Sequence, residues 1–229
     1  MEKGSSEIEI SVVSKDGREE KTDQIIREEE IVVRTDGEVH RFYCIPSDLE
    51  AMIVGNLKSR GIDCSFSEIK RIADNEFSVE LPAMKGLIKD PPKCESNKRL
   101  NSREVFNSVK MLNEKSFLYQ STGCTHVIGI CGDGEVFVED ISRHCAIDKA
   151  IGLAISDGID LSNSFLVASC RQTASTIKKA IFCGIPIVIS IAAPTDLAIK
   201  EADEYGTTLI GFANSKKFNI YSNGWRIKI

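Results

Sequence analysis

Thr122-Gly-Cys-Thr-His126 and Glu139-Asp-Ile-Ser-Arg-His-Cys-Ala-Ile-Asp-Lys149 frame the stretch whose reading decides the fold. Between them Val127 to Cys131 is apolar and β-prone, Gly132-Asp133-Gly134 signals a turn, and Glu135 to Val138 runs back. This pattern predicts a hairpin, which brings its two ends together. His126 at the entry and Glu139-Asp140 at the exit then share one edge of a sheet. Ala146, Ile147, Ala150, Ile151 and Ala154 recur at helical spacing, so a helix starts directly afterwards. His144 and Asp148, four apart, share a face of it. Arg143 falls in its first turn, where the helix dipole disfavours a cation. An Arg in that place serves an anion or a partner better than it serves the helix. The same charges are also what a structural cluster of ion pairs and caps requires.

Downstream, Phe165 to Ala168, Ile185 to Ser190, Thr208 to Phe212 and Phe218 to Tyr221 read as strands. Thr173 to Cys183, closed by Gly184, and Thr195 to Tyr205, closed by Gly206, read as helices between them. Apolar strands alternating with helices predict an α/β domain with a mostly parallel sheet covered on both faces. Ligands of such sheets bind beyond the C-terminal strand ends. Those ends are Ser169-Cys170-Arg171, Ser190 to Thr195 and Gly211 to Lys217. Ser169, Arg171, Thr195, Lys216 and Lys217 bring donors and cations to one edge, which suits a phosphorylated ligand.

Upstream, residues 1–24 are polar, with one alternating run from Glu7 to Val13, and read as an arm or edge strand. Residues 25–81 form a small α+β domain. In it a hairpin turns at Thr35-Asp36-Gly37-Glu38, and a helix opens on a capping box of Ser47 and Glu50. Residues 82–101 carry Pro91, Pro92 and the basic residues Lys85, Lys89, Lys93, Lys98 and Arg99 around Cys94. They read as a mobile basic loop. Cys94 is a nucleophile activated by its lysines, or a bystander thiol. Asn101 and Glu104 then cap a helix to about Glu114, which opens the α/β domain over 102–229.

The chain has 229 residues, 42% of them hydrophobic and 28% charged, with a net charge of -5. That balance disfavours a general nucleic-acid or membrane-surface binder. The N-terminal residues lack a signal-peptide core and no apolar run spans a membrane, so a cytoplasmic protein is expected. Its eight cysteines are expected to be reduced thiols. No Cys-x-x-Cys pair supports a zinc ribbon, and the phosphate-loop and dinucleotide glycine patterns are absent. His126 and His144 remain open as bases, as metal ligands with Cys124, Cys131 or Cys145, or as structural histidines.

The motifs from Phe117 to Ile229 resemble the FdhD/NarQ family of formate dehydrogenase accessory sulfurtransferases. The family's Thr-Gly-Gly-x-His corresponds to Thr122 to His126. Its Glu-Asp-Val-Gly-Arg-His-Asn-Ala-x-Asp-Lys corresponds to Glu139 to Lys149. Its Ser-Gly-Arg is Ser169-Cys170-Arg171, its Ala-Pro-Thr is Ala193-Pro194-Thr195, and its Gly-Phe-x-Arg is Gly211-Phe212-Ala213-Asn214. Pro46 to Leu49, Gly55 and Gly61-Ile62 extend the likeness into the N-terminal part.

The resemblance implies a C-terminal three-layer domain of cytidine-deaminase-like fold beside the small N-terminal domain. It implies a sulfur carrier that takes persulfide sulfur from a cysteine desulfurase. That sulfur passes to the molybdenum cofactor, a bis-molybdopterin guanine dinucleotide with GDP as a fragment, for formate dehydrogenase or a related molybdoenzyme. A homodimer is implied too, with no resident metal. Cys94 holds the persulfide in this reading. The cofactor site comprises Thr122, Gly123, His126, Arg143, His144, Ser169, Arg171 and Thr195, together with Phe212, Ala213, Asn214, Ser215, Lys216 and Lys217.

The sequence also departs from the family. The family loop carries Cys-Gly-x-Cys-Gly, whereas Cys94-Glu-Ser-Asn-Lys98 keeps one cysteine. Asn214 replaces an arginine, Ser175 a glutamate, and Cys124, Cys145 and Cys170 stand at Gly or Asn positions. The alternative is a cofactor-binding protein or chaperone that has lost sulfur transfer, and a third possibility is a zinc enzyme of deaminase-like fold.

Overall fold

The computed structural model describes residues 4–35, 37–81 and 90–229. Strands β1 (Ser5–Ser14) and β2 (Gly17–Ile26) pair antiparallel along their whole length. A single arm or edge strand ending at residue 24 is thus replaced by a hairpin that ends at Ile26. Its second strand begins Gly17-Arg-Glu-Glu-Lys21, with no apolar alternation to betray it. Gly17, the first residue of β2, has φ +140, a conformation costly for any residue with a Cβ.

The next unit holds β3 (Glu29–Thr35), β4 (Glu38–Cys44), helix α1 (Leu49–Lys58), β5 (Ile69–Ala73) and β6 (Glu76–Val79). Its sheet has the order β4-β3-β6-β5. The predicted hairpin is β3–β4; its turn residue Asp36 lies outside the described residues. The predicted capping box is not formed. Asp48 occupies the N-cap at φ 51 and no side chain caps the helix. The preceding Ile45 explains this: its N–H donates to Asp140 Oδ2 at 3.3 Å and its carbonyl accepts from Lys149 Nζ at 2.7 Å. These tertiary ties fix the approach to α1 before a local cap can.

Then come β7 (Leu100–Asn101), α2 (Ser102–Glu114), α3 (Phe117–Thr122), β8 (His126–Cys131), β9 (Glu135–Asp140) and α4 (Arg143–Ser156). The chain continues through β10 (Phe165–Ala168), α5 (Ala174–Phe182), β11 (Ile187–Ser190), α6 (Asp196–Glu204), β12 (Thr208–Gly211), β13 (Asn219–Ser222) and β14 (Ile227–Lys228). Six strands form one sheet in the order β13-β12-β11-β10-β8-β9. Pairs β10–β11 and β11–β12 are parallel. Pairs β10–β8, β8–β9 and β12–β13 are antiparallel. The sheet is therefore mixed rather than mostly parallel. Hairpin β8–β9 joins its edge with β8 innermost, which a residue pattern does not specify.

Strands β9 to β12 still point the same way, so their C-terminal ends and the N-terminus of β8 share one edge. Helices cover both faces. Ile128, Ile130, Leu166 and Val188 pack with Ile147 and Ile151 of α4, Ile177 and Ile181 of α5 and Ala198 of α6. Val127, Val167, Ile189 and Ile210 pack with Val105, Val109 and Leu112 of α2 on the other face. Each such Val, Leu or Ile side chain taken out of water contributes about 1.5–3 kcal/mol.

The N-terminal unit docks on α4 through a backbone-to-backbone helix crossing. A Cβ on Gly55 of α1 would lie 1.9 Å from the Asp148 carbonyl oxygen, and one on Gly152 of α4 would lie 1.9 Å from that of Ala51. Only glycine permits this approach at either position.

Candidate functional site

The charged motif divides into residues that build the site and residues left available to it. Glu139 builds. Its carboxylate accepts the N–H groups of Leu118 (2.7 Å) and Tyr119 (2.8 Å) and the Thr125 hydroxyl (2.8 Å). It thereby satisfies the open N-terminus of the short helix α3, which the sequence pattern did not predict. Asp140 and Lys149 are fully buried and paired at 2.7 Å. Burial pushes the Asp140 carboxyl up, and the Lys149 ammonium opposes that shift. Asp148 accepts from Lys179 (2.6 Å), Asn56 (2.9 Å) and the Ser59 hydroxyl (3.1 Å), so it ties α4 to α5 and α1.

Arg143 and His144, at the N-terminus of α4, remain. Arg143 Nε is buried and has no hydrogen-bond partner. A buried unpaired donor on a cation is costly unless something outside the chain satisfies it. His144 Nε2 lies 3.1 Å from the Ser175 hydroxyl. Burial holds its imidazole below the usual range, and Lys179 and Arg143 push the same way. His126 is likewise depressed by burial, then by Arg143 and Arg171. The two arginines thus act on His126 across the strand ends, and both histidines favour the neutral form at pH 7. The neutral imidazole is the form that accepts a proton.

Beside them opens a cleft of about 510 Å³, lined by Leu112, Tyr119, Cys124, His126, Ser169 and Ile191 among others. A second hollow of about 410 Å³ shares Asn113 and Ile191 with it and reaches Ala213, Asn214 and Ser215. Together they form a groove between α2 and the C-terminal strand edge. Phe212 enters that last loop at φ 52 and is 46% exposed. A bulky residue in the left-handed region stores strain that the surrounding structure must hold.

The structure places the predicted residues unequally. His126, Gly123, Ser169, Ala213, Asn214 and Ser215 line the groove. Arg143 and Arg171 lie near enough to His126 to perturb it, and Lys216 and Lys217 are exposed. Several hydroxyls are spent on the fold. Thr122 Oγ1 donates to the Leu118 carbonyl (2.6 Å), Ser169 Oγ accepts from Val127 N–H (2.9 Å), and Thr195 Oγ1 accepts from Ala198 N–H (3.3 Å) to cap α6. Asn214 Oδ1 accepts from the N–H groups of Lys216 and Lys217, which shapes its own loop.

Cys94 lies elsewhere. Its N–H donates to the Tyr205 carbonyl at 2.8 Å, and Gly206 packs against it. That is the entry to β12, whereas the groove is at the exit. One strand length separates them, at least about 10 Å at 3.3 Å per residue. The described part of the predicted loop is tied down at this point; residues 82–89 lie outside the described residues.

The cation on the Cys94 sulfur is neither Lys93 nor Lys98. Arg226, 1% exposed, donates from Nη2 to Cys94 Sγ (3.5 Å) and to the Ser96 carbonyl (3.0 Å). Its Nη1 donates to the Gly206 carbonyl (2.7 Å) and its guanidinium stacks on Trp225. No sequence signal joined Arg226 to Cys94, which precedes it by more than half the chain. Among the described residues no group of three or more His, Cys, Asp or Glu side chains gathers to hold a metal ion. No described helix is long and apolar enough to cross a membrane.

A model of the FdhD/NarQ family matches residues 78–228. A protein named Sulfur carrier protein FdhD from Methanothermobacter thermautotrophicus is 30% identical, over 93% of this chain and 94% of its own. Another of that name from Wolinella succinogenes is 31% identical, over 92% of this chain and 84% of its own. Protein FdhD of Methanocaldococcus jannaschii is 40% identical over 53% of this chain and 55% of its own. A crystal structure from Desulfotalea psychrophila superposes with TM-score 0.85 at 24% identity, covering 98% of this chain and 99% of that one, which shows a shared fold.

Proposed function

This chain belongs to the FdhD/NarQ family, and from that premise we propose that it is a sulfur carrier. It takes sulfane sulfur from a cysteine desulfurase onto Cys94 and delivers it to the molybdenum cofactor destined for formate dehydrogenase. The relatives named as sulfur carriers favour this reading over a cofactor-binding protein without transfer. The helix–sheet–helix layering is read as the cytidine-deaminase-like arrangement, and a cytoplasmic homodimer is part of the same proposal.

The observation that carries it is the Arg226 guanidinium on Cys94 Sγ. A thiolate, and the persulfide anion it becomes, needs a fixed cation beside it. Loading is a thiol–disulfide type exchange. The Cys94 thiolate attacks the outer sulfur of the desulfurase persulfide, a new S–S bond forms, and the desulfurase sulfur leaves as its thiolate. One cysteine is enough for this step, so the missing second loop cysteine does not abolish it.

The cofactor is cargo, and the groove at the strand edge suits it. Its phosphates need donors that the unpaired Arg143 Nε and the exposed Arg171 supply. Neutral His126 is the group that accepts or returns a proton as sulfur moves. Incubation with a desulfurase and cysteine, followed by peptide mass mapping, tests the carrier role. Added sulfur is expected on the Cys94 peptide. A Cys94→Ala protein that activates formate dehydrogenase as well as the parent would contradict it.

A further inference from the structure

Trp225 is the one tryptophan of the chain, and it is 50% exposed. Two guanidinium groups lie over its ring, that of Arg226 at 4.1 Å and that of Arg99 at 5.5 Å. The Arg226 guanidinium also donates to Cys94 Sγ at 3.5 Å, so one group touches both the sulfur and the ring. The backbone fixes this arrangement. Strand β14 pairs parallel with β7, Ile227 against Leu100, which sets Arg226 opposite Arg99.

The ground around Cys94 and Trp225 is basic. Residues 93–99 and 224–229 hold Lys93, Lys98, Arg99, Arg226 and Lys228 against one acid, Glu95, in a chain whose net charge is -5. Among the described residues none of these five cations forms an ion pair. The acids Asp90, Glu201 and Glu204 act instead on the Tyr205 ring. Trp225, flanked by Arg99 and Arg226, therefore stands on the basic side of Cys94. Half-exposed tryptophan beside arginine is the kind of pair that anchors protein contacts, and unpaired cations around an anchor steer a partner of opposite charge.

We propose that Trp225, Arg99, Lys98 and Lys228 form the docking surface for the protein that hands sulfur to Cys94, and that the docking segment of this donor is acidic. The proposal rests on the sulfur-carrier reading above. A donor that brings its outer sulfur to Cys94 Sγ comes within reach of the Trp225 ring, because Arg226 spans the gap between them. Trp225 supplies apolar area, and Arg99 and the lysines supply charge. Arg226 takes no part in docking, since its Nη groups are held by Cys94, Ser96 and Gly206. A small polysulfide has no segment to dock and needs none of this surface.

Charging with two donors separates docking from chemistry. One donor is a cysteine desulfurase with cysteine, the other inorganic polysulfide, and sulfur on the Cys94 peptide is followed by mass. The variants are a double charge reversal, Arg99→Glu with Lys228→Glu, at two exposed positions, and Trp225→Ala. Loading of the parent from the desulfurase should slow as salt rises from about 50 to about 500 mM. The charge-reversed protein should lose that salt dependence and need on the order of tenfold more desulfurase for half-maximal loading, yet take sulfur from polysulfide at the parental rate. Trp225→Ala should raise the desulfurase requirement at least as far. A parental requirement in the charge-reversed protein overturns the proposal. So does an equal loss with both donors, which places the damage at Cys94 and not at docking. A parent that loads from polysulfide and not from the desulfurase overturns the docking surface and leaves Cys94 a carrier. A parent with no sulfur on Cys94 from either donor overturns the carrier reading as well.

Discussion

At the scale of single residues, the charged motif of residues 139–149 does two jobs that its sequence does not separate. Lys149 and Asp140 hold β9, α4 and Ile45 together in full burial. Removing one partner leaves an uncompensated charge, so Lys149→Met should cost about 3–5 kcal/mol in urea unfolding. Adding Asp140→Asn should recover part of that loss; a single variant as stable as the parent would refute the pairing's role. His126 makes the opposite commitment. Its folded pKa lies below the ordinary imidazole value, so the unfolded chain binds the proton more readily. Stability contributed by neutral His126 is present above pH about 6.5 and is lost as pH falls from there toward the folded pKa. His126→Gln should therefore lose less melting temperature between pH 7 and about pH 5.5 than the parent does. Equal losses would mean that burial does not perturb the ring. Histidines, cysteines and arginines are visible in a sequence. Which of them are spent on capping and pairing is visible only after folding, because the partners (Ile45, Asn56, Lys179) are distant in the chain.

At the scale of elements, periodicity located the helices and strands of the C-terminal part well. The capping box at Asn101 and the hydroxyl cap at Thr195 are formed as residue types suggest. The failures have local causes. Helix α3 spans only six residues and depends on Glu139, so it has no period of its own. Strand β2 alternates nothing apolar. The box at Ser47 lost to the tertiary bonds of Ile45. The α1–α4 crossing was also invisible, since Gly55 and Gly152 look like ordinary weak points in helical patterns. Gly152→Ala should lower stability by about 1–3 kcal/mol or more, because the obstructing atoms are backbone and cannot turn aside. An increase, as helix propensity alone predicts, would contradict the close crossing.

At the scale of the whole molecule, one sheet separates two chemistries. Cys94 and Arg226 lie at the entry of β12, and the groove lined by His126 lies at the exit. The edge to which the groove opens was legible in the sequence because the parallel strands β10, β11 and β12 fix it. The distance of Cys94 from that edge was not, since no pattern places a loop against a strand's start. Calorimetric titration of GDP, read beside sulfur loading, tests this division most directly. Arg171 is exposed, so its removal should spare the fold. Losing one charge-assisted contact of about 1.5–3 kcal/mol should weaken GDP by roughly 10- to 150-fold. Arg171→Ala should lose that affinity yet load sulfur on Cys94 as the parent does, while Cys94→Ala should bind GDP at parental affinity. Unchanged GDP affinity in Arg171→Ala, or the loss of GDP binding in folded Cys94→Ala, would contradict the account.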